Sequence, residues 1–209
     1  MIAWLAGPSP WAILGAGLAY GLIHSLLASL RFKATLRGMF GSAVERWYRL
    51  VYNLIAFLTL LPVLALSALL PDHPLYTLPA PWKYLALAGQ TLAVVALGVG
   101  LIQTGVWSFL GLSQALGANS TEPTSMAVHG LYRWVRHPLY TAGLLFIWLT
   151  PSMSANLLTL YLVLSAYLLV GAVFEERKLV REFGSQYLRY QERTPMLIPG
   201  FPRLRRPAG

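Results

Sequence analysis

Residues 129–140 read HGLYRWVRHPLY and lead into two apolar segments, 138–150 and 157–174. The residues EERKL, 175–179, follow the second apolar segment directly. Charged and aromatic polar side chains in this half of the chain therefore lie mainly at the edges of the two segments. Ionisable side chains are costly inside a bilayer and usually mark functional sites there. We expect the chemistry of this protein at those edges.

The composition is that of an integral membrane protein. Of 209 residues, 56% are hydrophobic and only 11% are charged, whereas soluble domains carry roughly 25% charged residues. A transmembrane helix needs about 20 apolar residues. The sequence therefore predicts an all-α bundle of about five transmembrane helices, forming a single membrane domain over residues 1–209.

Five apolar stretches serve as predicted transmembrane helices, and the last two, being close in sequence, predict a helical hairpin. Every Lys and Arg except Lys83 falls in segments that would lie on one side of these helices. Basic residues accumulate on the cytoplasmic side of a membrane. We therefore expect the N-terminus outside, the C-terminus in the cytoplasm and a location in a bacterial inner membrane. The five stretches are residues 10–30, 50–70, 83–104, 138–150 and 157–174.

The charge balance and the lack of cysteine narrow the possible sites and partners. Without cysteine, the chain has neither disulfides nor thiolate metal sites, and no metal is expected. The net charge is +9, but the basic residues flank apolar segments instead of forming a patch interleaved with aromatic residues. This pattern favours membrane lipid as a partner over nucleic acid.

The residues around Pro138 predict a polar site at the cytoplasmic interface. Proline suits the first position of a helix, whose N-terminus favours anions. Arg136 and His137 come immediately before it, and Glu175 and Glu176 end the neighbouring segment. Two acids beside two bases predict a charged ligand pocket. A snorkelling arginine with a capping histidine is the alternative interpretation of the first pair.

Four aromatic or histidine positions leave two interpretations open. Residues 177–193 predict an amphipathic helix on the inner membrane surface. Its Tyr187 and Tyr190 either anchor the interface, the usual role of tyrosine at that depth, or turn inward to the pocket. His24, inside the first predicted span, and Trp148 either line an acceptor cavity or are packing residues.

The motifs of the last third of the chain are G-x-Y-x-x-x-R-H-P-x-Y at 130–140, E-E-x-x-L at 175–179 and F-G-x-x-Y-x-x-Y at 183–190. A proline-bounded ending follows at 195–199. Together they resemble the isoprenylcysteine carboxyl methyltransferase superfamily of membrane methyltransferases. H-S-x-x-A-S at 24–29 and W-x-x-P-x-M at 148–153 are similar to the branch of methanethiol S-methyltransferases and NnrU-like proteins.

The resemblance implies an S-adenosylmethionine-dependent methyltransferase acting on a small or lipophilic thiol or carboxylate. It implies an acceptor side formed by three helices within residues 1–104 and a cofactor-binding core at 129–199. Arg136 and Glu175 are the expected catalytic residues. The residues expected to hold the cofactor are His129, Gly130, Tyr132, Arg136, His137, Pro138, Tyr140, Glu175, Glu176, Tyr187 and Tyr190.

Two other functions remain compatible with the same residues. The chain could be a non-catalytic NnrU-like membrane helper, in which the polar pocket is an assembly surface. It could also be a sterol-reductase-like enzyme that uses NADPH, because those enzymes share a similar C-terminal region. They are longer, normally with about ten helices, so the length argues against this alternative.

Overall fold

The computed structural model describes residues 7–117, 126 and 128–200, and this part of the chain is mostly helical. Residues 1–6, 118–125, 127 and 201–209, the last of which include three of the arginines, lie outside it. The elements are α1 (Pro8–Ala28), α2 (Leu30–Phe40), α3 (Ala43–Leu69), β1 (Pro74–Thr77), α4 (Trp82–Thr104), α5 (Val106–Leu110), α6 (Leu112–Ala115), a 3₁₀ turn (Gly130–Arg133), α7 (Pro138–Trp148), β2 (Ser152–Ser154), α8 (Ala155–Phe183) and α9 (Ser185–Arg193).

In the part of the chain that the structure describes, four helices are long and apolar enough to cross a membrane, namely α1, α3, α4 and α8. Their surfaces expose large apolar side chains such as Leu22, Leu69 and Leu92. Such surfaces suit lipid, because a bilayer is as apolar as these side chains. The protein is a multi-pass integral membrane protein, and the prediction of an all-α membrane bundle is confirmed.

The fourth predicted span is shorter than a full crossing. Helix α7 has 11 residues and is therefore about 16 Å long, against roughly 30 Å of hydrocarbon. It runs antiparallel to α8, since Tyr140 contacts Glu175 near one end and Trp148 contacts Ser165 near the other. Residues 149–154 complete the pass to the opposite end of the bundle.

A small antiparallel sheet and a capped helix fasten the end of the bundle that carries few basic residues. Strand β1 pairs with β2 in the register Thr77 to Ser152 and Pro74 to Ser154. The Asp72 carboxylate accepts hydrogen bonds from the backbone N–H of Asn156 in the first turn of α8, at 2.9 Å, and of His73, at 2.8 Å. The loop after α3 is thereby joined to the start of α8.

The helices pack in two groups. Helix α1 packs mainly on α3 and α8, while α4 packs mainly on α7. The first group encloses the buried cluster of Ile13, Tyr20, Val63 and Leu160. The N-terminal helices are therefore interleaved with the C-terminal ones.

At the basic end of the bundle, α5 and α6 dock on the start of α3. Arg46 and Arg49 donate to the carbonyl oxygens of Ala115 and Ser108, at 2.7 and 2.9 Å. Gly111 joins the two short helices with φ +86°, and a Cβ there would lie 2.5 Å from the backbone nitrogen of Leu50. A glycine is required at that contact.

The helix boundary near residue 177 differs from the prediction. Helix α8 continues through the charged residues to Phe183, and the amphipathic helix α9 begins only at Ser185. Gly184, with φ +54°, separates the two helices. Apolar character ends near Phe174, but Glu, Arg and Lys are good helix formers. The helix therefore outlasts its apolar run.

Candidate active site

The turn before α7 is fastened to the end of α4. Gly130 has φ +60°, and a Cβ there would lie within 2.1 Å of the Gln103 side chain. Gln103 in turn accepts a hydrogen bond from the backbone N–H of Leu131 at 3.2 Å. The close approach of Gln103 explains why glycine opens this turn and fixes the direction of the residues that follow.

The Arg136 guanidinium is enclosed by the protein. Its Nε donates to Oε1 of Glu176 at 2.6 Å, and its Nη1 donates to the carbonyl oxygens of Gln191, at 3.2 Å, and Thr194. The side chain is only 10% exposed. Arg136 therefore joins α8 to the end of α9.

Residues 195–197 cross the start of α7. The backbone N–H groups of Arg136 and His137 donate to the carbonyl oxygens of Pro195 and Met196, at 2.9 and 3.1 Å. The Thr141 hydroxyl donates to the carbonyl oxygen of Leu197 at 2.7 Å. The two N–H groups just before Pro138 are therefore used within the protein, and a bound anion would have to use other donors.

His137 lies between two carboxylates. Its Nε2 is 3.2 Å from Oε1 of Glu176 and its Nδ1 is 3.6 Å from Oε2 of Glu175. The buried imidazole also stacks on the Tyr140 ring, with centroids 5.3 Å apart and planes 4° from parallel. Its orientation is therefore fixed on both edges and one face.

The two adjacent glutamates have different surroundings. Glu176 is 14% exposed and, besides Arg136, accepts a hydrogen bond from Gln191 Nε2 at 2.9 Å. Glu175 is 46% exposed, and its Oε2 accepts a hydrogen bond from the Tyr140 hydroxyl at 2.8 Å. Within the described part of the chain, its other oxygen has no hydrogen bond. Glu175 is thus the carboxylate open to a ligand.

Both tyrosines of α9 turn inward. Tyr187 is 1% exposed, and its hydroxyl has no hydrogen-bond partner among residues 7–117, 126 and 128–200. The Tyr190 hydroxyl donates to the carbonyl oxygen of Tyr132 at 2.5 Å. Burial raises the pKa of Tyr190 to about 12 and that of Tyr187 further. Both phenols therefore remain neutral hydrogen-bond donors at neutral pH.

The structure brings together Arg136, His137, Tyr140, Glu175 and Glu176, which we call the carboxylate cluster. Tyr187 and Tyr190 pack beside it.

A cleft of about 380 Å³ opens next to Glu176 and Gln191 and is lined by Val173, Glu176, Arg177, Val180, Arg181 and Gln191. Its size is that of a small-ligand site. Among the described residues, no group of three or more His, Cys, Asp or Glu side chains has an arrangement that could hold a metal ion.

The remaining expected cofactor residues shape this region without joining the cluster. Gly130 and the buried Pro138 set the backbone, and Tyr132 contacts Tyr190 and Thr104. His129 is the exception, because its side chain is exposed at the start of the 3₁₀ turn. Its carbonyl oxygen accepts the N–H of Tyr132 at 3.2 Å.

A second group of rings, which we call the aromatic cluster, consists of Tyr20, His24, Tyr52 and Tyr167. His24 lies between the other three, with ring-centroid distances of 5.6, 4.5 and 5.5 Å in that order. Of these four residues, only His24 was predicted from the sequence as a candidate site residue. The four-residue spacing of Tyr20 and His24 was the available signal, since such residues share a helix face.

Trp148 does not join the aromatic cluster. Its Nε1 donates to the Ser165 hydroxyl at 2.9 Å, and its ring lies 6.2 Å from Tyr161. Ser165 and Tyr167 are two residues apart on α8 and therefore point about 200° apart around the helix. The structure thus separates Trp148 from His24.

The chain is similar to one family of unknown function and to several relatives that are named for an activity. Residues 20–194 match the family described as "Protein of unknown function (DUF1295)". Three relatives are each named methanethiol S-methyltransferase and are 30% identical to the chain. No solved structure matches.

The alignments with these relatives cover most of each chain. The Pseudomonas sp. protein aligns over 85% of this chain and 73% of its own length. The corresponding shares are 86% and 71% for Crocosphaera subtropica, and 86% and 74% for Mycobacterium tuberculosis. The family match spans both the carboxylate and the aromatic clusters. The chain therefore belongs to the DUF1295 family, among the membrane methyltransferases that resemble isoprenylcysteine carboxyl methyltransferase.

Proposed function

We propose that this protein transfers a methyl group from S-adenosylmethionine to a small thiol of the methanethiol kind. The observation that carries the proposal is the similarity to proteins named methanethiol S-methyltransferase over 85% or more of the chain. The carboxylate cluster supports it with a polar, partly open site at the end of a helical hairpin.

The residues of the site fit the proposed methyl donor, which carries a sulfonium, an ammonium group, a carboxylate, a ribose diol and an adenine ring. The open oxygen of Glu175 suits a cation or a ribose hydroxyl. The buried hydroxyl of Tyr187 has no hydrogen-bond partner among the described residues and can donate to the ligand. The Tyr140 ring can stack on a cation or on the adenine ring. We assign these three side chains to direct contact.

Arg136, His137 and Glu176 act differently in this proposal. Arg136 and Glu176 are paired with each other and with the end of α9, so they position the site and do not contact the ligand. His137 fixes Tyr140 and Glu175 by stacking on one and facing the other. Gly130, Tyr132, Pro138 and Tyr190 shape the surrounding walls.

S-adenosylmethionine, when bound, supplies an electrophilic methyl carbon attached to a sulfonium. Methyl transfer requires in-line approach of the acceptor, so positioning and exclusion of water account for much of the rate. The chain's own contribution is to hold Glu175 and Tyr140 rigidly, through His137, at the end of an apolar bundle. The acceptor is expected from the side of the N-terminal helices within residues 1–104, and the cofactor at 129–199.

Topology follows from the same proposal. All described Lys and Arg residues except Lys83 lie toward the end of the bundle that carries the carboxylate cluster. By the positive-inside tendency, that end faces the cytoplasm of a bacterial inner membrane, where the methyl donor is made. The N-terminus is then outside and the C-terminus inside.

Binding and turnover test the proposal. Protein purified in nanodiscs should bind S-adenosylmethionine saturably in a calorimeter and should not bind NADPH. With methanethiol added, headspace gas chromatography should detect dimethyl sulfide. Binding of NADPH alone would indicate a reductase, and binding of neither molecule would indicate a non-catalytic helper. Either result would overturn the proposed function.

A further inference from the structure

His24 has one ring nitrogen occupied and one free. It lies near the end of α1, and its Nε2 is hydrogen-bonded to the Tyr52 hydroxyl on α3. Its Nδ1 is buried and has no hydrogen-bond partner among the described residues. An unpaired buried polar atom costs free energy. Nδ1 is therefore available to a ligand atom.

The described side chains that pack against the His24 ring are aromatic. Tyr20 on α1, Tyr52 on α3 and Tyr167 on α8 pack against the imidazole from three helices. Sulfur makes favourable contacts with aromatic rings. A small thiol is both apolar enough for such a cage and able to offer a proton to Nδ1.

The aromatic cluster adjoins the proposed methyl-donor site through Tyr140. The Tyr140 hydroxyl donates to Glu175 and lies in the neighbourhood of Tyr167 and Tyr52. Tyr167 and Glu175 lie eight residues apart on α8, which is about 12 Å along the helix axis. An acceptor held beside His24 is thus on the membrane side of the carboxylate cluster.

We propose that His24 is the general base that deprotonates the thiol acceptor, with Tyr52 as its positioning residue. This inference rests on the function proposed above. In the tautomer with its hydrogen on Nε2, His24 donates to Tyr52 and presents the lone pair of Nδ1 to the thiol. The Tyr52 hydroxyl can accept this hydrogen bond, so the contact is compatible with that tautomer.

The step balances without any further reagent. The S–H bond breaks, its proton goes to Nδ1 of His24, and the electron pair stays on sulfur. The thiolate sulfur then bonds to the methyl carbon while the carbon–sulfonium bond breaks, and that electron pair leaves with S-adenosylhomocysteine. The imidazolium afterwards returns its proton to solvent. A neutral thiol is a poor nucleophile. Deprotonation by the base therefore produces the reactive thiolate.

The test compares acceptors that need a base with acceptors that do not. In His24→Gln, the amide can still bond to Tyr52 but cannot accept the thiol proton. Methyl transfer to ethanethiol should fall by about a hundredfold or more, the range for loss of a general base. Transfer to an aryl thiol already ionised at neutral pH should stay within about threefold of wild type, on the same principle.

Three controls separate a base from a packing residue. Calorimetric binding of S-adenosylmethionine should be the same in His24→Gln and wild type. Tyr52→Phe should lower ethanethiol turnover and spare the aryl thiol. The Tyr48 hydroxyl donates to the Leu27 carbonyl oxygen and not to His24. Tyr48→Phe should therefore leave both rates unchanged.

A spectroscopic measurement tests the proton transfer without turnover. The chain contains no cysteine, so thiolate absorbance reports only the added thiol. Ethanethiol added to wild type with S-adenosylhomocysteine should develop a thiolate band, and His24→Gln should not. Equal loss of both acceptors' rates in His24→Gln, or an unchanged thiolate band, would overturn the inference while the methyltransferase function stands. Absence of turnover in wild type would instead overturn the function itself.

Discussion

Arg136 and Glu176 form an ion pair of 2.6 Å with side chains only 10% and 14% exposed. The neighbouring Glu175 is 46% exposed and bonds to Tyr140 instead. Two consecutive residues of α8 therefore differ in role: the Glu176 carboxylate stabilises the fold, and the Glu175 carboxylate is open to a ligand. Adjacent residues point about 100° apart around a helix, which accounts for the division.

Glu176→Gln should destabilise the protein by about 3 kcal/mol, because it leaves the nearly buried Arg136 without its partner. The change is measured by thermal or chemical unfolding in detergent. Glu45→Gln is the matched control, since its ion pair with Arg37 spans 3.0 Å but is 50% to 65% exposed and should contribute less than about 1 kcal/mol. Equally small effects in the two variants would contradict the structural role of Glu176.

Glu175→Gln should have the opposite profile. Stability should change by less than about 0.5 kcal/mol, as for a surface substitution. Affinity for S-adenosylmethionine should fall by about 10-fold or more, since hydrogen bonds to charged groups contribute roughly 1.5–3 kcal/mol. Calorimetry measures the affinity, with the exposed Glu182→Gln on the same helix as control. Unchanged affinity in Glu175→Gln would remove this residue from the site.

Much of this site follows from the sequence, because its residues lie at the two ends of one hairpin. Arg136 precedes the first apolar segment and Glu176 follows the second, so antiparallel packing alone brings them together. The boundary of α9 could not be predicted in the same way. Helix α8 ends at Gly184, which has a φ of +54°. The hydropathy of the sequence instead predicted an end near Phe174.

Contacts between helices that are distant in the chain could not be predicted from the sequence. Tyr52 and Tyr167 reach His24 only because α1 packs on both α3 and α8, and no local pattern encodes that packing. The pairing of β1 with β2 was hidden for a similar reason. A four-residue strand that begins with Pro74 carries almost no periodic signal.

Asp72 predicts an acid-dependent loss of stability at the opposite end of the bundle. Burial opposes its charge, but hydrogen bonds from the Ser154 side chain and from the N–H groups of Asn156 and His73 lower its pKa below the ordinary value. Because the folded pKa is depressed, the contribution is complete above the unfolded pKa of about 4. It is lost as pH falls through the folded pKa.

Asp72→Ala should therefore cost about 1 kcal/mol at neutral pH, the usual value of a helix cap. The difference from wild type should shrink as the pH falls below about 4. Unfolding midpoints measured across that range provide the check. A difference that stays constant with pH would show that the Asp72 charge is not involved.

Gly111→Ala should disrupt the docking of α5 and α6 on α3. The new Cβ would lie 2.5 Å from the Leu50 nitrogen and 2.8 Å from the Arg49 carbonyl carbon, at a φ of +86°. Both neighbours are backbone atoms, so no side-chain rotation relieves the clash. We expect a loss of about 2 kcal/mol or more. Gly98→Ala, in α4 with nothing near its Cβ, should be neutral or stabilising by up to about 1 kcal/mol.

Tyr187→Phe separates ligand binding from folding most sharply. The Tyr187 side chain is 1% exposed, yet its hydroxyl has no partner within the described residues. Removing that hydroxyl breaks no hydrogen bond of the protein and relieves an unpaired buried group. The variant should therefore unfold at the same temperature as wild type or slightly higher.

If the Tyr187 hydroxyl contacts the methyl donor, the same variant should bind S-adenosylmethionine about 2- to 10-fold more weakly, the value of one hydrogen bond. Tyr190→Phe is the control with the reverse outcome. It loses the bond to the Tyr132 carbonyl oxygen and should cost about 1 kcal/mol of stability, with a smaller effect on affinity. Unchanged affinity in Tyr187→Phe would mean that the ligand bound at Glu175 and Tyr140 does not reach the α9 side of the cluster.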